Sequence, residues 1–425
     1  MNYSFIGKCA LLSNLRPFKT PHHYQTTRMK ILHIFTLSTT AESFFDGQFK
    51  YLSDAGHDIW LVSSSEEPSD FVRDNALTYQ KFDIRRSISP FADLRTIVAL
   101  SSFMRRNHFD AVVGHTPKGA MVAMFAALLA RVKKRVYYRH GLIYTTTHGL
   151  KRTILKAVEQ LTALCATHIV NVSPSLGKLA VKDCLNSDRK QTVIGLGTCG
   201  GIDTINIFNP TKVSQEKVSV LRHTLGIPDN AYVVGFCGRL CHDKGIIELI
   251  EGFRLFQKAQ PDIVTRLLLV GPYDARDILP SHVKDEIEAS HSIIAPGSVS
   301  HHFLPDYYSL MDVFVFPSYR EGFGMTVLEA SAMRIPVLVS RSHGCVDSIR
   351  ENITGCYIDI TSQSIASDLI DITSQSIASG LTDMLDQQLR QRLGNSGRDF
   401  VTQNFERTRM WPKILNLYIK ILSYK

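Results

Sequence analysis

The feature that most constrains the fold is a regular alternation of short apolar runs with amphipathic stretches. Runs such as KILHIFTL, HDIWLVSSS and FDAVVGHT are rich in Val, Ile, Leu and Phe, as buried strands are. Helical patterns lie between such runs, and KRTILKAVEQLTALCAT is the longest of them in the first half. Strands and helices that alternate in this way predict a parallel, doubly wound sheet and therefore an α/β fold.

The alternation stops once and then resumes, which predicts two domains. Residues 186–215 are polar and irregular, and a second alternation begins at AYVVGFCGRL. A chain of 425 residues is long enough for two domains of ordinary size. We expect two Rossmann-like domains that face a central cleft, one formed by residues 29–205 and the other by residues 206–400. Residues 401–425 are expected to form a helix that packs back on the N-terminal domain.

Two segments do not fit the alternation. Residues 1–28 lack a convincing signal peptide, and we expect an unstructured extension before a natural start at Met29. In residues 359–380, the sequence DITSQSIAS occurs twice at a period of 12 residues. One duplication does not make a repeat fold. We expect an inserted surface loop, or an extended first turn of the following helix, without functional effect.

Charge is spread unevenly along the chain. Residues 1–195 contain 26 Lys and Arg against 14 Asp and Glu, whereas residues 196–425 contain 22 against 25. The densest basic run is ARVKKRVYYRH, which ends at His140. This run indicates either an anionic partner or a solvated loop, and nucleic acid is disfavoured because no known binding motif accompanies the charge. No segment is long enough to span a bilayer, and the eight cysteines lack metal-ligand spacing, which favours reduced thiols.

The stretch PSYREGFGMTVLEASAMRIPVLVS, residues 317–340, contains two carboxylates in an unusual setting. Its pattern predicts the end of a strand, a glycine-rich turn, a helix and another strand. Glu321 falls in the turn and Glu329 in the helix. A glycine loop that precedes a helix N-terminus binds anions, and ligands of such sheets lie beyond the carboxyl ends of the strands. Taken alone, an ordinary turn with both carboxylates in solvent explains the stretch equally well.

A second constellation, GRLCHDKGIIELI, places two cations after the first strand of the second domain. Arg239 follows that strand, and Lys244 comes just before a helix that begins near Gly245. A planar guanidinium and a mobile ammonium beside a helix N-terminus suit a diphosphate. An exposed basic turn is an equal explanation of this stretch alone. Both constellations would open on the same edge of one sheet, towards the first domain.

Taken together, the two constellations resemble the retaining glycosyltransferases of family 4, which have the GT-B fold. The resemblance covers residues 29–425 and includes GTCGGIDTINIFNP, which is similar to the interdomain stretch of the family, with Gly200 where Asn is common. The N-terminal half, with HTPKGAM and YRHGLIYTTTHG, is similar to bacterial enzymes that build capsule, O-antigen or lipid-linked oligosaccharides. Glu321 and Glu329 match the signature of the family, two Glu separated by seven residues.

The resemblance implies roles for these residues. Glu321 is expected to accept hydrogen bonds from hydroxyls of the donor sugar, and Glu329 to hold the ribose hydroxyls of the nucleotide. Arg239 and Lys244 are expected to neutralise the departing diphosphate, so that no metal and no other cofactor is needed. The backbone N–H groups beside Glu321 are also expected to bind the donor, and they belong to Gly322, Phe323, Gly324 and Met325.

The resemblance also places residues of the first domain at the site. His140 matches the position where such enzymes have a catalytic histidine near the sugar and the diphosphate. A strand-end histidine bonded to backbone is the alternative for this residue. Four residues are expected to help bind the acceptor, namely Ser38, Thr39, Gly47 and His115.

The function that the resemblance implies is transfer of a sugar, with retention of its anomeric configuration, from a nucleotide-sugar to a lipid-linked saccharide. A UDP-linked N-acetylhexosamine or hexose is favoured, and a GDP-sugar stays open. The protein would be cytoplasmic and peripheral at the inner face of the cytoplasmic membrane. Five cations would then face anionic lipid, namely Lys133, Lys134, Arg135, Lys151 and Arg152.

Three other functions stay open at the level of the sequence. A sugar-nucleotide epimerase and a phosphorylase share the two-domain architecture. The chain is short for a phosphorylase, and it has no distinct epimerase signature. A catalytically inactive sugar-nucleotide-binding protein is the third alternative, because the duplication could indicate a damaged copy.

Overall fold

The computed structural model describes residues 28–87, 89–358 and 373–423. The strands of these residues form two parallel sheets, one after the other along the chain, which confirms the expected α/β class with two doubly wound domains. The first copy of the duplication lies outside the described residues, and so does the expected extension before Met29 apart from Arg28.

The first sheet has seven strands in the order β3-β2-β1-β4-β5-β6-β7. Its strands are β1 (Lys30–Ile34), β2 (Asp58–Ser63), β3 (Thr78–Lys81), β4 (Ala111–His115), β5 (Lys134–Arg139), β6 (His168–Asn171) and β7 (Gln191–Val193). The central strands are almost entirely buried, because helices cover both faces of a doubly wound sheet. The helices are α1 (Ser38–Phe45), α2 (Gln48–Asp54), α3 (Ser69–Asp74), α4 (Pro90–Asn107), α5 (Pro117–Leu129), α6 (Gly149–Cys165) and α7 (Pro174–Lys182).

The second sheet has six strands in the order β10-β9-β8-β11-β12-β13. Its strands are β8 (Tyr232–Cys237), β9 (Thr265–Val270), β10 (Ile293–Gly297), β11 (Val313–Phe316), β12 (Val337–Ser340) and β13 (Cys356–Ile358). The accompanying helices are α8 (Gln215–Thr224), α9 (Ile246–Ala259), α10 (Ser281–Ala289), α11 (Leu304–Tyr308), α12 (Met325–Ala332), α13 (Ser374–Asp383), α14 (Gln387–Asn404) and α15 (Arg407–Ser423).

Two apolar cores hold the described residues together. One lies between the first sheet and helices α4, α5 and α6. The other begins on the opposite face of that sheet and continues without a break into the second domain. The connection runs through Cys199, Ile202 and Phe208, which are all buried. A continuous core of this kind packs the two domains against each other.

The end of the chain returns to the first domain through α15. The indole N–H of Trp411 donates to the carbonyl of Gly200 at 3.0 Å, and the ring of Tyr418 packs 6.0 Å from that of His33. Gly200 has to be a glycine here, because a Cβ atom would lie 2.2 Å from the carbonyl oxygen of Phe44. The departure from the Asn that is common in the family therefore has a steric reason in this chain.

Two helical stretches have features that their sequence pattern does not show. FFDGQFKYLSDAG has a helical pattern, but it is divided between α1 and α2, because Gly47 adopts a φ of +75° between them. The helix predicted after the glycine-rich turn is α12, and six of its eight residues are buried, among them Glu329. The second copy of the duplication, from Ser374 onwards, is part of α13 and buries Ile377 against α9.

Candidate active site

The carboxyl ends of the two sheets face each other and form the expected cleft. At its narrowest point the loop after β11 touches the end of β5, and a Cβ atom on Gly322 would lie 1.7 Å from the carbonyl oxygen of His140. Nearby, the amide of Ser175 donates to Asp347 at 3.0 Å, and that of Gly344 donates to Ser175 at 2.7 Å. Residues that are far apart in the sequence therefore meet at this edge.

Lys244 and Glu321 form an ion pair at the base of the cleft on the second domain. The turn before α9 fits closely against β11, since a Cβ atom on Gly245 would lie 2.1 Å from the carbonyl oxygen of Pro317. The Ser318 hydroxyl also donates to Glu321, at 3.1 Å. The side chains of Lys244 and Glu321 are 13% and 14% exposed, so a ligand in the cleft could still reach both charges.

Glu329 is almost completely buried on α12, and its oxygens have partners from neighbouring elements. The Tyr308 hydroxyl donates to one oxygen at 2.9 Å, and the His301 ring lies 3.4 Å from the other. Burial lowers the pKa of His301, but the hydrogen bond and the charge of Glu329 outweigh it, so the pKa is raised overall. The side chain of His301 is half-exposed, so it connects the buried carboxylate of Glu329 with solvent.

Arg239 lies at the end of β8 and forms an ion pair with Asp274. The guanidinium of Arg276 lies 3.8 Å from the same carboxylate. Arg86 of the first domain is close enough for its pKa to be lowered, first by burial and then by the charges of Arg276 and Arg239. Two guanidinium groups therefore share one carboxylate, with a third nearby, and the excess of positive charge attracts an anion.

A third ion pair, between Asp243 and Arg320, joins the two loops that carry Lys244 and Glu321. Burial would raise the pKa of Asp243, but the charge and hydrogen bond of Arg320, together with a hydrogen bond from Thr146, lower it overall. Thr146 belongs to the first domain, so this pair also links the two walls of the cleft.

The loop from Gly322 to Met325 provides fewer free N–H groups than the sequence indicated. The Met325 amide donates to the carbonyl of Phe323 at 2.8 Å. Phe323 is buried, with its ring 5.5 Å from that of Phe405, and a Cβ atom on Gly197 would lie 2.8 Å from it. Phe323 therefore anchors the loop between the domains rather than facing the cleft.

His140 is partly exposed at the end of β5, on the wall opposite Glu321. Its Nε2 lies 3.0 Å from Nδ1 of His115, and its Nδ1 lies 3.5 Å from the sulfur of Cys199. Burial raises the pKa of the Cys199 thiol to about 12, and the nearby charge of Glu321 acts in the same direction. The structure therefore brings His140 and Glu321 to the same place, with Cys199 between them.

The residues that we expected at an acceptor site occupy different environments. His115 is completely buried, and both of its ring nitrogens bond to other histidines, so it does not line the cleft as expected. Ser38 is buried too, and its amide donates to Ser65 at 3.0 Å. Gly47 lies under Trp411 of α15. Thr39 is exposed in the first turn of α1.

The five cations that were expected to face lipid do not form one group. Lys133, Lys134 and Arg135 lie at the start of β5 or just before it, whereas Lys151 and Arg152 lie at the start of α6, which follows the other end of that strand. Arg135 is also tied to the protein, because it donates to the carbonyls of Val132 and Cys165. Only the cations at the start of α6 lie towards the cleft.

Among residues 28–87, 89–358 and 373–423, no group of three or more His, Cys, Asp and Glu is arranged to hold a metal ion. In the same residues, no helix combines the length and the hydropathy needed to cross a bilayer.

Two family models match the chain. Residues 33–172 match the model described as "Glycosyl transferase 4-like", and residues 219–400 match the one described as "Glycosyl transferases group 1". The first match lies within the first domain, and the second match contains Arg239, Lys244, Glu321 and Glu329. The chain therefore belongs to the glycosyltransferases that combine these two domains.

Relatives and solved structures agree with this assignment. The chain is 27% identical over 395 residues to the capsular polysaccharide biosynthesis glycosyltransferase CapM of Staphylococcus aureus, covering 93% of this chain and 98% of the relative. It is 23% identical to an Escherichia coli UDP-Gal:alpha-D-GlcNAc-diphosphoundecaprenol alpha-1,3-galactosyltransferase, covering 79% of this chain and 85% of the relative. The fold is similar to that of Anabaena Alr3699/HepE in complex with UDP and glucose, with a TM-score of 0.73, 17% identity, and coverage of 92% and 100%. The GT-B fold is thereby confirmed.

Several residues of the site were missed by the sequence analysis. Ser318 lies within PSYREG, and Asp243 and Arg320 lie beside residues that were singled out, so their positions could have been read from the same motifs. Arg86 and Arg276 carry no local signal, because only the fold brings them to Arg239. His33 had one signal, a polar residue in the buried strand pattern KILHIFTL.

Proposed function

We propose that this glycosyltransferase moves a sugar from a UDP-sugar, carrying an N-acetylhexosamine or a hexose, to a lipid-linked saccharide of a cell-envelope polysaccharide. The observation that carries the proposal is the ion pair of Lys244 and Glu321, which stands opposite His140 across the cleft. The relatives support the choice of substrates, since one is named for a capsular polysaccharide and another for UDP-galactose and a diphosphoundecaprenol-linked acceptor.

The charges of the second domain fit the donor. Departure of the nucleoside diphosphate builds negative charge, which Lys244 and the arginines around Asp274 would stabilise. A carboxylate accepts hydrogen bonds from two adjacent hydroxyls. Glu321 would therefore hold hydroxyls of the sugar, and Glu329 those of the ribose, where Tyr308 and His301 already fix its position.

The proposed transfer retains configuration and needs no protein nucleophile. The bond between the anomeric carbon and the diphosphate oxygen breaks, and the acceptor hydroxyl oxygen bonds to the same face of that carbon. The proton of the hydroxyl passes to the departing phosphate oxygen. In this scheme Lys244 stabilises the departing group, while Glu321 and His140 orient the sugar.

The test is transfer from a panel of UDP- and GDP-sugars to a polyprenyl-diphosphate-linked saccharide, with and without chelator. The expected result is a product with one UDP-sugar, formed with retention as read from the anomeric proton coupling by NMR, and lost in Glu321→Ala. An inverted product would overturn the mechanism. Epimerised sugar, or nucleotide binding without turnover, would replace the function by one of the alternatives.

A lipid-linked acceptor would be met at a membrane surface. Helices α4, α5 and α6 form an outer face whose composition suits contact with such a surface. The helices share one layer and all begin at the carboxyl ends of the strands, next to the cleft. Their two acidic residues are buried, Asp93 paired with Lys118 and Glu159 beside Arg139. The outer face therefore combines cations with exposed apolar side chains, which are Phe91, Leu94, Val98, Leu128, Leu129, Leu150, Ile154, Leu161 and Leu164.

Apolar side chains and cations on one face favour the interface of an anionic membrane. The test is flotation with vesicles that contain phosphatidylglycerol and with vesicles of phosphatidylcholine alone. We expect binding to the first only, weakened in Phe91→Ser combined with Leu150→Ser. The matched control is Ile278→Ser, which alters an exposed apolar residue of the second domain. Equal binding of all three proteins would contradict this surface.

A further inference from the structure

Three histidines form a hydrogen-bonded file across three neighbouring strands of the first sheet. His33 lies in β1, His115 ends β4 and His140 follows β5, and these strands are adjacent in the order β1-β4-β5. Nδ1 of His33 lies 3.0 Å from Nε2 of His115, and Nδ1 of His115 lies 3.0 Å from Nε2 of His140. The file runs from the interior of the domain to the cleft, where Nδ1 of His140 meets the sulfur of Cys199.

Aromatic rings enclose the file. The ring of Phe35 is stacked on that of His115 at 4.0 Å, and Phe45 meets it edge-on at 4.9 Å. The ring of Tyr138 packs against both His115 and His140, at 5.1 Å from each. Such an apolar enclosure disfavours a positive charge on imidazole.

Burial lowers the pKa of His33 and of His140 to about 3, and burial and the two neighbouring histidines lower that of His115 well below the ordinary value. The other ionisable groups around the file are the hydroxyls of Tyr138 and Tyr418 and the Cys199 thiol, with Glu321 beyond the thiol. Burial raises the pKa values of both tyrosines and of the thiol, so these three groups and the three imidazoles are neutral at neutral pH.

A file of neutral imidazoles couples the tautomers of its members. Each neutral ring has one N–H and one bare nitrogen, so every hydrogen bond along the file must point in the same direction. A change of tautomer at His140 therefore requires the same change at His115 and at His33.

The inner end of the file is closed. Nε2 of His33 is buried, and no hydrogen-bond partner for it is found among the described residues. A proton that reached this atom would have no group to take it further. The file is therefore suited to hold a tautomer and not to conduct protons to solvent.

We propose that His115 and His33 are positioning residues, which hold His140 neutral and in one tautomer at the wall of the cleft. The proposal rests on the proposed function, in which His140 meets the donor sugar. Nδ1 of His140 is the end that can change partner, because its contact with the Cys199 thiol at 3.5 Å is weak. The fixed tautomer decides whether this atom donates to a sugar hydroxyl or accepts from it.

The direct test is NMR of the full-length protein with ¹⁵N-labelled histidine, in which long-range ¹H–¹⁵N correlations distinguish protonated from bare ring nitrogens. We expect His33, His115 and His140 each to show one tautomer and no imidazolium between pH 6 and pH 8. His115→Phe keeps an aromatic ring against Phe35 but removes the bond to His140, which should then show both tautomers. His115→Asn keeps a polar group near the position of Nδ1 and should restore one tautomer.

A matched control is His57→Phe, which removes another buried histidine of the same domain and should leave the His140 signals unchanged. A single unchanged tautomer of His140 in His115→Phe, or an imidazolium within the file at pH 7, would overturn the proposal.

Kinetics add a second readout. We expect kcat to fall about tenfold in His115→Phe, from the loss of one buried hydrogen bond to a catalytic group. KM for the UDP-sugar should change by less than about twofold, because the donor contacts of the second domain remain. His115→Asn should regain most of the rate. If the unmodified protein transfers no sugar, the proposed function fails, whereas the NMR result still decides the role of the file.

Discussion

The two walls of the cleft differ in how the polar groups near the core are paired. The wall of the second domain carries charges in pairs, Lys244 with Glu321 and Arg239 with Asp274. The wall of the first domain carries neutral imidazoles that bond to one another. An anionic ligand can compete for one partner of an ion pair. The imidazoles of a buried neutral file, in contrast, can change their tautomers only together. The difference agrees with the proposed function, in which the second wall would bind the diphosphate and the first wall would orient the sugar.

The largest effect is expected from substitution of Glu321 in the charged wall. Glu321→Ala should lower the transfer rate by a factor of about 10² to 10³, the usual loss when a group that acts in the transition state is removed. Its melting temperature should fall modestly, because Lys244, whose side chain is 13% exposed, loses its partner but can still be hydrated from the cleft. Glu321→Gln, which keeps the shape without the charge, should be nearly as inactive. Substantial activity in either variant would contradict the assignment of Glu321.

Nucleotide binding is a second test of the charged wall of the second domain. A saturating nucleotide at one hundred times its Kd raises the free energy of unfolding by about 2.7 kcal/mol. UDP should therefore raise the melting temperature of the protein, and the rise should be lost in Arg239→Ala and in Glu329→Ala. His301→Ala, which removes only the exposed partner of Glu329, should keep part of it. An unchanged rise in all three variants would place the nucleotide elsewhere.

The contact between the walls can be broken at Gly322. Gly322→Ala would place a methyl group against the carbonyl of His140, and overpacking of this kind costs about 1–3 kcal/mol. The melting temperature and the transfer rate should both fall. Gly324→Ala is the control in the same loop, since its Cβ atom would lie at least 3.2 Å from its neighbours. Equal stability of the two variants would show that the domains separate readily at this point.

A further expected effect is the dependence of stability on pH. Because the pKa of His33 and of His140 is lowered to about 3, the unfolded chain binds more protons than the folded chain between pH 6.5 and pH 3. The contribution of these histidines to the free energy of unfolding should be fully present above pH 6.5. On acidification it should fall by at most about 1.4 kcal/mol per pH unit for each histidine. Melting temperatures measured from pH 7 to pH 4.5 should fall less steeply in His33→Phe. An equal slope would indicate that His33 titrates normally.

Much of the architecture could be predicted from the sequence, because strands and helices of an α/β chain differ in period and length. The two sheets, the cleft and the glycosyltransferase class follow from that alternation and from two motifs. Boundaries were less certain, as Gly47 shows, because the break between α1 and α2 depends on one positive φ value. The placement of Lys244 beside Glu321 was implied by the motifs, since both follow strands that end at the same edge.

The local sequence shows which charged residues follow each strand, because a strand and the turn after it are neighbours in the chain. Only the tertiary structure decided which of them meet. Arg86 of the first domain lies near enough to Arg239 for that charge to lower its pKa, after the larger effect of burial. His33, His115 and His140 come together although 82 and 25 positions separate the successive members. Most buried polar atoms have a hydrogen-bond partner, and here the fold brings those partners from distant parts of the chain. His115 therefore has its place behind His140, a position that the motif HTPKG could not indicate.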